Sequence, residues 1–236
     1  MRPRLQETYQ STIASDMLAL MYTHVSPGTP EKEHKDRMRP WVGDNPYFKN
    51  RPPRGPRGRE VLLPVHRPIN FRNIPRLKKI VVHSHVREAN ENSSYLQVAG
   101  IAMQSITNVR VKAHKAKTNV VDWGAKKDKW VSITAELEGE DMYHFLAKVV
   151  ELVMPRIKDW KGIKGTSGDL VGNMSFGLTP EQVALFPEIE TNYSHYPPDM
   201  IPGCHVQIQT TAVTDKEGRL LLMAMGIPFN GELKKR

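Results

Sequence analysis

The feature that most constrains the fold is a proline-rich basic segment in the first third of the chain. Residues 24–68 hold nine of the eighteen prolines, and their centre, residues 49–59, carries five positive charges and no acid. Proline fixes φ and lacks the N–H donor, so this segment cannot form a helix or a central strand. We expect an extended insertion, ordered only where it lies on a partner, dividing the chain into residues 1–23, 24–68 and 69–236.

The sequence on either side of this insertion shows the periodicities of a folded domain. Apolar residues recur at helical spacing in residues 5–22, which predicts an N-terminal helix belonging to the same domain. The predicted strands are short, alternating and half-polar, which favours an α+β fold with an antiparallel sheet and helices on one face. Strands are predicted at residues 76–87, 109–114, 130–137, 172–178 and 205–213, and helices at 93–107, 140–154 and 215–225.

Local signals add detail to this scheme. Residues 131–137 alternate apolar and polar side chains, which is typical of a half-buried strand, and we expect Trp130 at its start to be core. Pro155 is expected to end the helix over residues 140–154. Thr214 and Glu217 have the spacing of a capping box and predict the start of the last helix.

The composition is basic and holds a single cysteine. There are 34 Lys and Arg against 25 Asp and Glu, a net charge of +9 with a pI near 9.6. Such a surplus suits a polyanionic partner, because neutralised phosphates release condensed counterions. Cys204 alone cannot form an internal disulfide framework or a multi-cysteine metal site. No apolar run reaches the ~18 residues of a membrane span, so no membrane partner is expected.

Catalytic and cofactor motifs do not emerge from the sequence. Four glycines between residues 162 and 172 lack the Gly-Lys-Ser/Thr ending of a phosphate loop, and we interpret them as a mobile loop that exposes its backbone. His83 and His85 share one strand face without a third metal ligand nearby, so contact with solvent or RNA is favoured over a metal site. No nucleophile and base, or paired carboxylates, have suitable spacing. We expect neither an enzyme nor a cofactor.

Two basic clusters predict RNA contacts. The first contains two tryptophans, Trp123 and Trp130, and is arranged as expected for single-stranded or loop RNA, with charge along the backbone and rings for stacking. The second surrounds Trp160. The cations of the first cluster are Arg110, Lys112, Lys115, Lys117, Lys126, Lys127 and Lys129, and those of the second are Arg156, Lys158, Lys161 and Lys164.

An ordered series of short motifs carries a family resemblance. In order they are MPRIKDWKG from Met154, GNMSFGL from Gly172, FPEI from Phe186, TTA from Thr210, DKEGRLLL from Asp215 and GIPF from Gly226. Together they resemble the large-subunit ribosomal protein "five" family, which binds 5S rRNA in the central protuberance.

The resemblance implies a structural role on the ribosome. The family fold has helices on one side of an antiparallel sheet and RNA on the other. The first basic cluster matches a loop that reaches toward P-site tRNA, and the second matches a region that forms a bridge to the small-subunit head. Large-subunit rRNA and neighbouring large-subunit proteins are further expected partners. The residues expected to bind rRNA are Arg51, Arg54, Arg57, Arg59, Arg76, Lys78, His83, His85 and Arg87.

Departures from the family pattern suggest a particular version of it. Residues 83–87 replace a glycine-rich turn, residues 108–111 replace a Gly-Gln-Lys-Pro motif, and Glu138 stands where arginine is common. With the insertion, these changes indicate a fungal mitochondrial version located in the matrix, with 5S rRNA a partner only if that ribosome contains it. A free RNA-binding translation or maturation factor would explain the charge but not the motif series. An RNA-modifying enzyme would need a catalytic cluster that is not evident.

Overall fold

The fold is built around a five-stranded antiparallel sheet. The computed structural model describes residues 3–28, 37–57, 62–120, 124 and 126–233. Its strands are β1 (Leu77–His85), β2 (Lys112–Lys115), β3 (Trp130–Leu137), β4 (Ile163–Lys164), β5 (Met174–Leu178), β6 (Cys204–Thr210) and β7 (Phe229–Asn230). The large sheet has the order β2-β3-β1-β6-β5 with antiparallel neighbours, whereas β4 and β7 form a separate parallel pair. The predicted α+β class is confirmed.

The helices pack on one face of this sheet. Their apolar side chains share a single buried cluster with the inward side chains of the strands. Two of the helices contain a π-helical stretch, at Tyr9–Ile13 and at Val149–Val153. In chain order the helices are α1 (residues 4–21), α2 (Ser94–Thr107), α3 (residues 139–156), α4 (Pro180–Val183), α5 (Pro187–Glu190) and α6 (Asp215–Ala224).

Alternation along the central strands separates the core side of the sheet from its opposite side. Ile80, Val82 and Ser84 of β1 are buried, and the residues between them, Val81 and His83, point to the opposite side. The buried Ser84 hydroxyl donates to the carbonyl oxygen of Gly203 at 2.7 Å, which satisfies its polar group. β3 begins and ends at the predicted residues, and its side chains alternate between apolar and polar from Val131 to Leu137.

Helix boundaries follow local chemistry with one correction. The predicted capping box is present, since Thr214 Oγ1 accepts from the Glu217 N–H and the Glu217 carboxylate accepts from the Thr214 N–H. By contrast, α3 does not end before Pro155 but continues to Arg156. The π-helical stretch ends at Val153, two residues before Pro155, and a wider turn of this kind leaves room for the proline ring and its missing donor.

The insertion is more folded than the sequence suggests. Arg39 and Arg54 exchange two main-chain hydrogen bonds of 2.8 and 2.9 Å, so residues 37–57 double back on themselves. A short 3₁₀ turn, Pro46–Phe48, lies at the far end of this loop. The expectation of a uniformly extended segment is therefore wrong for these residues. No helix in the described part of the chain is long and apolar enough to cross a membrane.

Candidate nucleic-acid interface

The face of the sheet opposite the helices is open and lined by polar side chains. No helix of the described residues covers it, and the outward side chains of β1, β3 and β6 are half-buried or exposed. His83 of β1 lies opposite Thr134 of β3 on one side and His205 of β6 on the other. His114 of β2 contacts the Thr134 hydroxyl through Nε2. With His85, four histidines therefore share this surface, which we call the open face.

The histidines of the open face influence one another. Partial burial lowers the pKa of His83, and the neighbouring His205, His85 and His114 lower that pKa further. Nearby, Lys79 pairs with Glu136 at 3.5 Å. Glu136 neutralises the charge of Lys79, and His83 favours its neutral form. The centre of the open face is therefore poor in charge and rich in hydrogen-bonding groups.

His205 and His114 were not among the histidines predicted to contact RNA. Alternation in β6 does place His205 on the polar side, opposite the apolar Val206 and Ile208. However, only the register of β6 against β1 brings His205 next to His83, and register cannot be read from one strand alone. The His83 and His85 pair was recognised because both residues lie on the same strand.

A basic hairpin extends from one edge of the sheet. A loop joins β2 and β3, and two main-chain hydrogen bonds close its base. The Ala116 N–H donates to the Lys129 carbonyl at 2.9 Å, and the Asp128 N–H donates to the Ala116 carbonyl at 3.1 Å. All seven predicted cations of this cluster are exposed: Arg110, Lys112, Lys115, Lys117, Lys126, Lys127 and Lys129. We call residues 110–130 the basic hairpin.

Only one of the two tryptophans predicted for the hairpin lies among the described residues. Trp130 is 49% exposed, so the expectation that it is core is wrong. Its neighbour Val131 takes the inward position, and the Trp130 ring instead lies beneath Lys115, whose Nζ is 4.9 Å from the ring centroid. Trp123 lies outside the described residues.

The remaining residues expected to bind rRNA do not form one patch. Arg76 and Lys78 are exposed and line a cleft of about 600 Å³ between α1 and one end of the sheet, beside Tyr9 and Tyr143. Arg87 is exposed beyond the other end of β1, next to His85. Arg51, Arg54 and Arg57 are exposed on the insertion, and Arg59 lies outside the described residues. The eight predicted residues that the structure describes thus divide among a loop, a cleft and the open face with its rim.

Comparison with known sequences decides what this architecture is. The family description "Ribosomal protein L5" matches residues 70–126, and "ribosomal L5P family C-terminus" matches residues 130–229. This chain belongs to the ribosomal L5 family. The resemblance inferred from the motif series is confirmed.

Relatives of this L5 chain include mitochondrial proteins of fungi. "Large ribosomal subunit protein uL5m" of Neurospora crassa is 45% identical over 227 residues, which are 96% of this chain and 64% of that protein. The protein of the same name in Schizosaccharomyces pombe is 40% identical over 229 residues, 96% of this chain and 79% of that protein. The expectation of a fungal mitochondrial version of this family is confirmed.

Bacterial members of the L5 family match a shorter part of the chain. The "Large ribosomal subunit protein uL5" of Borrelia garinii is 38% identical over 157 residues, 66% of this chain and 83% of that protein. The two family matches together begin only at residue 70. Most of the insertion therefore lies outside the general L5 core, although it lies within the span matched by the fungal relatives.

The second basic cluster of the L5 chain is partly engaged within the protein. Arg156 makes a two-pronged contact with Glu190, with Nη1 to Oε2 at 2.6 Å and Nη2 to Oε1 at 3.0 Å. This pairing raises the pKa of Arg156 and lowers that of Glu190. Lys158, Lys161 and Lys164 are exposed, and none of the three forms a salt bridge with a described residue.

The glycine-rich loop is held rather than mobile, which corrects the sequence-based interpretation. The buried Asp215 carboxylate accepts from the N–H groups of Leu170 at 3.1 Å and Gly172 at 3.0 Å. The Thr210 hydroxyl donates to the Gly172 carbonyl at 2.8 Å. A Cβ on Gly172 would approach Ala212 Cβ to 2.7 Å, so glycine permits this close packing. Because Asp215 already occupies two of these N–H donors, they are not presented to a phosphate.

Reactive groups are not assembled anywhere in the described residues. Burial raises the pKa of Cys204 to about 12, which keeps its thiol protonated and unreactive at physiological pH. The described residues contain no group of three or more His, Cys, Asp or Glu side chains placed to hold a metal ion.

Proposed function

We propose that this L5 chain is a structural constituent of the mitochondrial large ribosomal subunit, held by rRNA on its open face in the central protuberance. The observation that carries the proposal is the one-sided layering of the domain. Helices bury one face of the sheet, while the other face presents polar side chains from neighbouring strands and has no covering element among the described residues. A broad polar sheet face of this kind suits a large, hydrogen-bonding partner.

The chemistry of the open face favours contacts to bases and riboses at its centre. Imidazoles of His83 and His205, the amide of Gln207 and the hydroxyl of Thr134 can donate or accept hydrogen bonds without a fixed charge. Base edges and 2′-hydroxyls in RNA are recognised by such groups, whereas phosphates attract Arg and Lys. Arg87, beyond the end of β1, would supply a phosphate contact at the rim.

The basic hairpin would reach toward the P-site tRNA. Its seven cations are exposed on a closed hairpin at the sheet edge, and none forms a salt bridge with a described acidic residue. Lys115 over Trp130 provides a flat surface beside the positive charge. Arg76 and Lys78 in the cleft, and the insertion arginines, would bind rRNA phosphates on other sides of the domain.

The second basic cluster would face the small-subunit head. Lys158, Lys161 and Lys164 are the exposed members that can meet a partner across the bridge. Arg156 would support this surface by tying α3 to α5 through Glu190 rather than by touching the partner. Neighbouring large-subunit proteins, and 5S rRNA where the ribosome contains it, complete the proposed surroundings.

Purified ribosomes test this assignment. Large subunits would be isolated from the source mitochondria in moderately high salt, the chain quantified by mass spectrometry, and the bound RNAs sequenced. We expect one copy per subunit, and the RNA sequences will establish whether 5S rRNA is present. Loss of the chain from subunits, with recovery on other RNAs, would instead favour a free RNA-binding factor.

A matched pair of variants tests the open face itself. H83A/H205A/Q207A removes three outward side chains, and Q97A/Q104A removes two exposed side chains of α2 on the helical side. We expect the first variant to be released from subunits at lower salt than wild type and the second to be retained. Equal retention of both, with both variants folded, would exclude the open face as the main rRNA contact.

A further inference from the structure

The folded loop of the insertion, residues 37–57, has an internal scaffold centred on Trp41. The Trp41 indole N–H donates to the Pro52 carbonyl at 3.0 Å, and the Phe48 ring lies 5.1 Å from the indole, centroid to centroid. Arg54 lies 4.2 Å and Arg51 5.2 Å from the Trp41 ring centroid. Both guanidinium groups are within the distance for a cation–π interaction.

Hydrogen bonds at the base and the tip of the loop complete this scaffold. At the base, Arg39 pairs with Arg54 through the main chain and also donates from Nε to the Gly55 carbonyl at 2.9 Å. At the tip, the Asn45 side chain accepts from the Tyr47 N–H at 3.0 Å and begins the 3₁₀ turn. The loop therefore has its own contacts and does not need a partner to define its path.

The charge of the loop lacks internal compensation. Residues 37–57 contain six Lys or Arg side chains and a single acid, Asp44. None of the six cations forms a salt bridge with any described residue. Holding Arg51 and Arg54 near one ring brings two positive charges together, which costs repulsion unless an anion lies against them.

The exposed surface of the loop favours RNA over an acidic protein as this partner. Arg51, Arg54 and Arg57 are exposed, and guanidinium groups fork onto phosphates and stack on bases. Tyr47, which is 75% exposed, adds a ring on which a base can stack. Forked donors beside an exposed ring suit nucleotides, which carry a phosphate and an aromatic base in each unit.

The residues covered by each comparison show which relatives match the part of the chain that contains the loop. The general family matches begin at residue 70. The 227 residues matched by the Neurospora crassa relative leave at most nine of the 236 residues of this chain unmatched, so they must include most of the loop. The loop thus lies outside the two general family matches and within the span aligned with that fungal mitochondrial relative.

We propose that residues 37–57 form a pre-folded RNA-docking loop in which Trp41 is a positioning residue that presents Arg51 and Arg54 as a fixed pair. The loop docks on rRNA of the mitochondrial large subunit. This inference rests on the proposed function for the identity of its partner. The pre-folding of the loop and the role of Trp41 rest on the contacts within the loop.

Limited proteolysis of the free full-length protein tests the pre-folding. Trypsin can cleave after Arg54, which is followed by Gly55, whereas Arg51 is followed by Pro52. We expect slow cleavage after Arg54 in wild type and at least severalfold faster cleavage in Trp41→Leu, with cleavage outside residues 37–57 unchanged. Equally fast cleavage after Arg54 in the two proteins would show that the free loop is not folded. Equally slow cleavage would show that Trp41 does not hold it. Either result would overturn the inference.

Binding to stripped particles tests the partner. The probe is the mitochondrial large-subunit particle from which this protein has been removed by salt. Relative to wild type, we expect R51Q/R54Q to lower the affinity. The slope of log K against log salt concentration should also become shallower, by about 0.7–0.9 for each phosphate that is no longer neutralised. Trp41→Leu should lower the affinity by roughly tenfold while leaving the slope nearly unchanged, because it disorders the arginines without removing them.

Two controls separate the role of the ring from that of charge. Trp41→Phe keeps a ring but loses the indole donor. Its affinity for the particle should be intermediate between those of wild type and Trp41→Leu. R72Q removes one exposed arginine that lies outside the loop, beside Phe71, and should bind nearly as wild type does.

Each remaining outcome contradicts a different statement. If R51Q/R54Q binds weakly but Trp41→Leu binds normally, the loop contacts rRNA through its arginines, and the positioning role of Trp41 is overturned. Normal binding by both variants would show that the loop does not contact rRNA and would overturn the inference. That result would leave the proposed rRNA contact of the open face unaffected. Loop-dependent binding that survives nuclease digestion of the particle would identify an acidic protein as the partner and overturn the RNA assignment.

Discussion

At the scale of single residues, the histidines of the open face distinguish this surface from the basic hairpin. His83 is half-buried between Thr134 and His205, so protonating it places a charge in a partly desolvated site beside other imidazoles. The resulting low pKa means that His83 is mainly neutral at the pH of most cell compartments. A face with this chemistry selects partners through hydrogen bonds, and the surrounding Lys and Arg supply the electrostatic attraction.

The lowered pKa of His83 predicts acid sensitivity of the fold. The unfolded chain takes up a proton on this histidine near its ordinary pKa of about 6.5, before the folded protein does. His83 therefore contributes stability above that pH, and the contribution is lost as pH falls through the lower folded pKa. We expect the free energy of unfolding, measured in urea, to fall between about pH 7.5 and 5.5, and H83Q to reduce that fall.

The control for this measurement is H195Q, which removes an exposed histidine in the turn Tyr193–His195 outside the sheet. It should show the same fall in stability as wild type. An H83Q protein with an unchanged pH dependence would show that burial at His83 does not limit its protonation.

Trp130 illustrates what residue type alone cannot predict. Its large apolar ring suggests burial, but its position in the alternation of β3 places it on the side opposite Val131 and Ile133. The buried side of a strand is determined by the majority of its apolar residues, and one aromatic side chain cannot reverse it. The strand and its core face were predicted correctly, whereas the exposure of Trp130 was not.

At the scale of elements, two helical glycines have opposite surroundings. Gly218 of α6 lies directly against the glycine-rich loop, where an added Cβ would come within 2.3 Å of the Gly172 carbonyl oxygen. Gly100 of α2 has room, since its added Cβ would meet only Val111 Cγ2 at 3.7 Å. The first glycine allows a close approach that fixes the loop, and the second has no such role.

These surroundings predict opposite effects of the same substitution. Gly100→Ala should stabilise the protein by up to ~1 kcal/mol, the usual difference in helix propensity. Gly218→Ala should destabilise it by about 1–3 kcal/mol despite the same propensity gain, because the clash is with a backbone atom. Urea unfolding of the two variants measures both values. Stabilisation by Gly218→Ala would mean that α6 and the loop are not in close contact.

The basic hairpin has a prediction of its own. Changing Lys115, Lys117, Lys126 and Lys127 to Gln should impair mitochondrial translation more than subunit assembly, since these lysines have no salt-bridge partner among the described residues. A comparison of protein synthesis with the amount of assembled large subunit measures the two effects. A charge-matched control changes Arg4, Arg67, Arg72 and Lys216 and should affect translation less. Normal translation with normal assembly in the hairpin variant would refute the tRNA contact.

Elements differed in how far the sequence could predict them. The five strands of the large sheet and the long helices were predicted because their periodicity is local, as in β3 and α2, whereas the two-residue strands β4 and β7 are too short to show a period. The order in the glycine-rich loop depends on Asp215, more than forty residues later, and the path of the insertion depends on Trp41 meeting Arg54. Contacts between distant positions leave no periodic signal, so both segments were expected to be less ordered than they are.

At the scale of the whole molecule, the domain separates its structural and interaction surfaces. The α+β layering follows from strand patterns and was predictable, and the motif series correctly indicated the L5 family. The grouping of the candidate site was not predictable. Residues expected to bind rRNA are divided among the open face, the cleft and the insertion loop, because sheet register and tertiary packing decide which charges become neighbours.

The central claim, that rRNA lies on the open face, is tested most directly by mapping cross-links in intact mitochondrial large subunits. Ultraviolet cross-linking followed by mass spectrometry would identify the peptides that carry nucleotides. We predict nucleotide adducts on the outward residues of β1, β3 and β6 and on the basic hairpin, with few on the exposed side of α2. Adducts concentrated on α2 and the other helices, with none on the open face, would contradict the account.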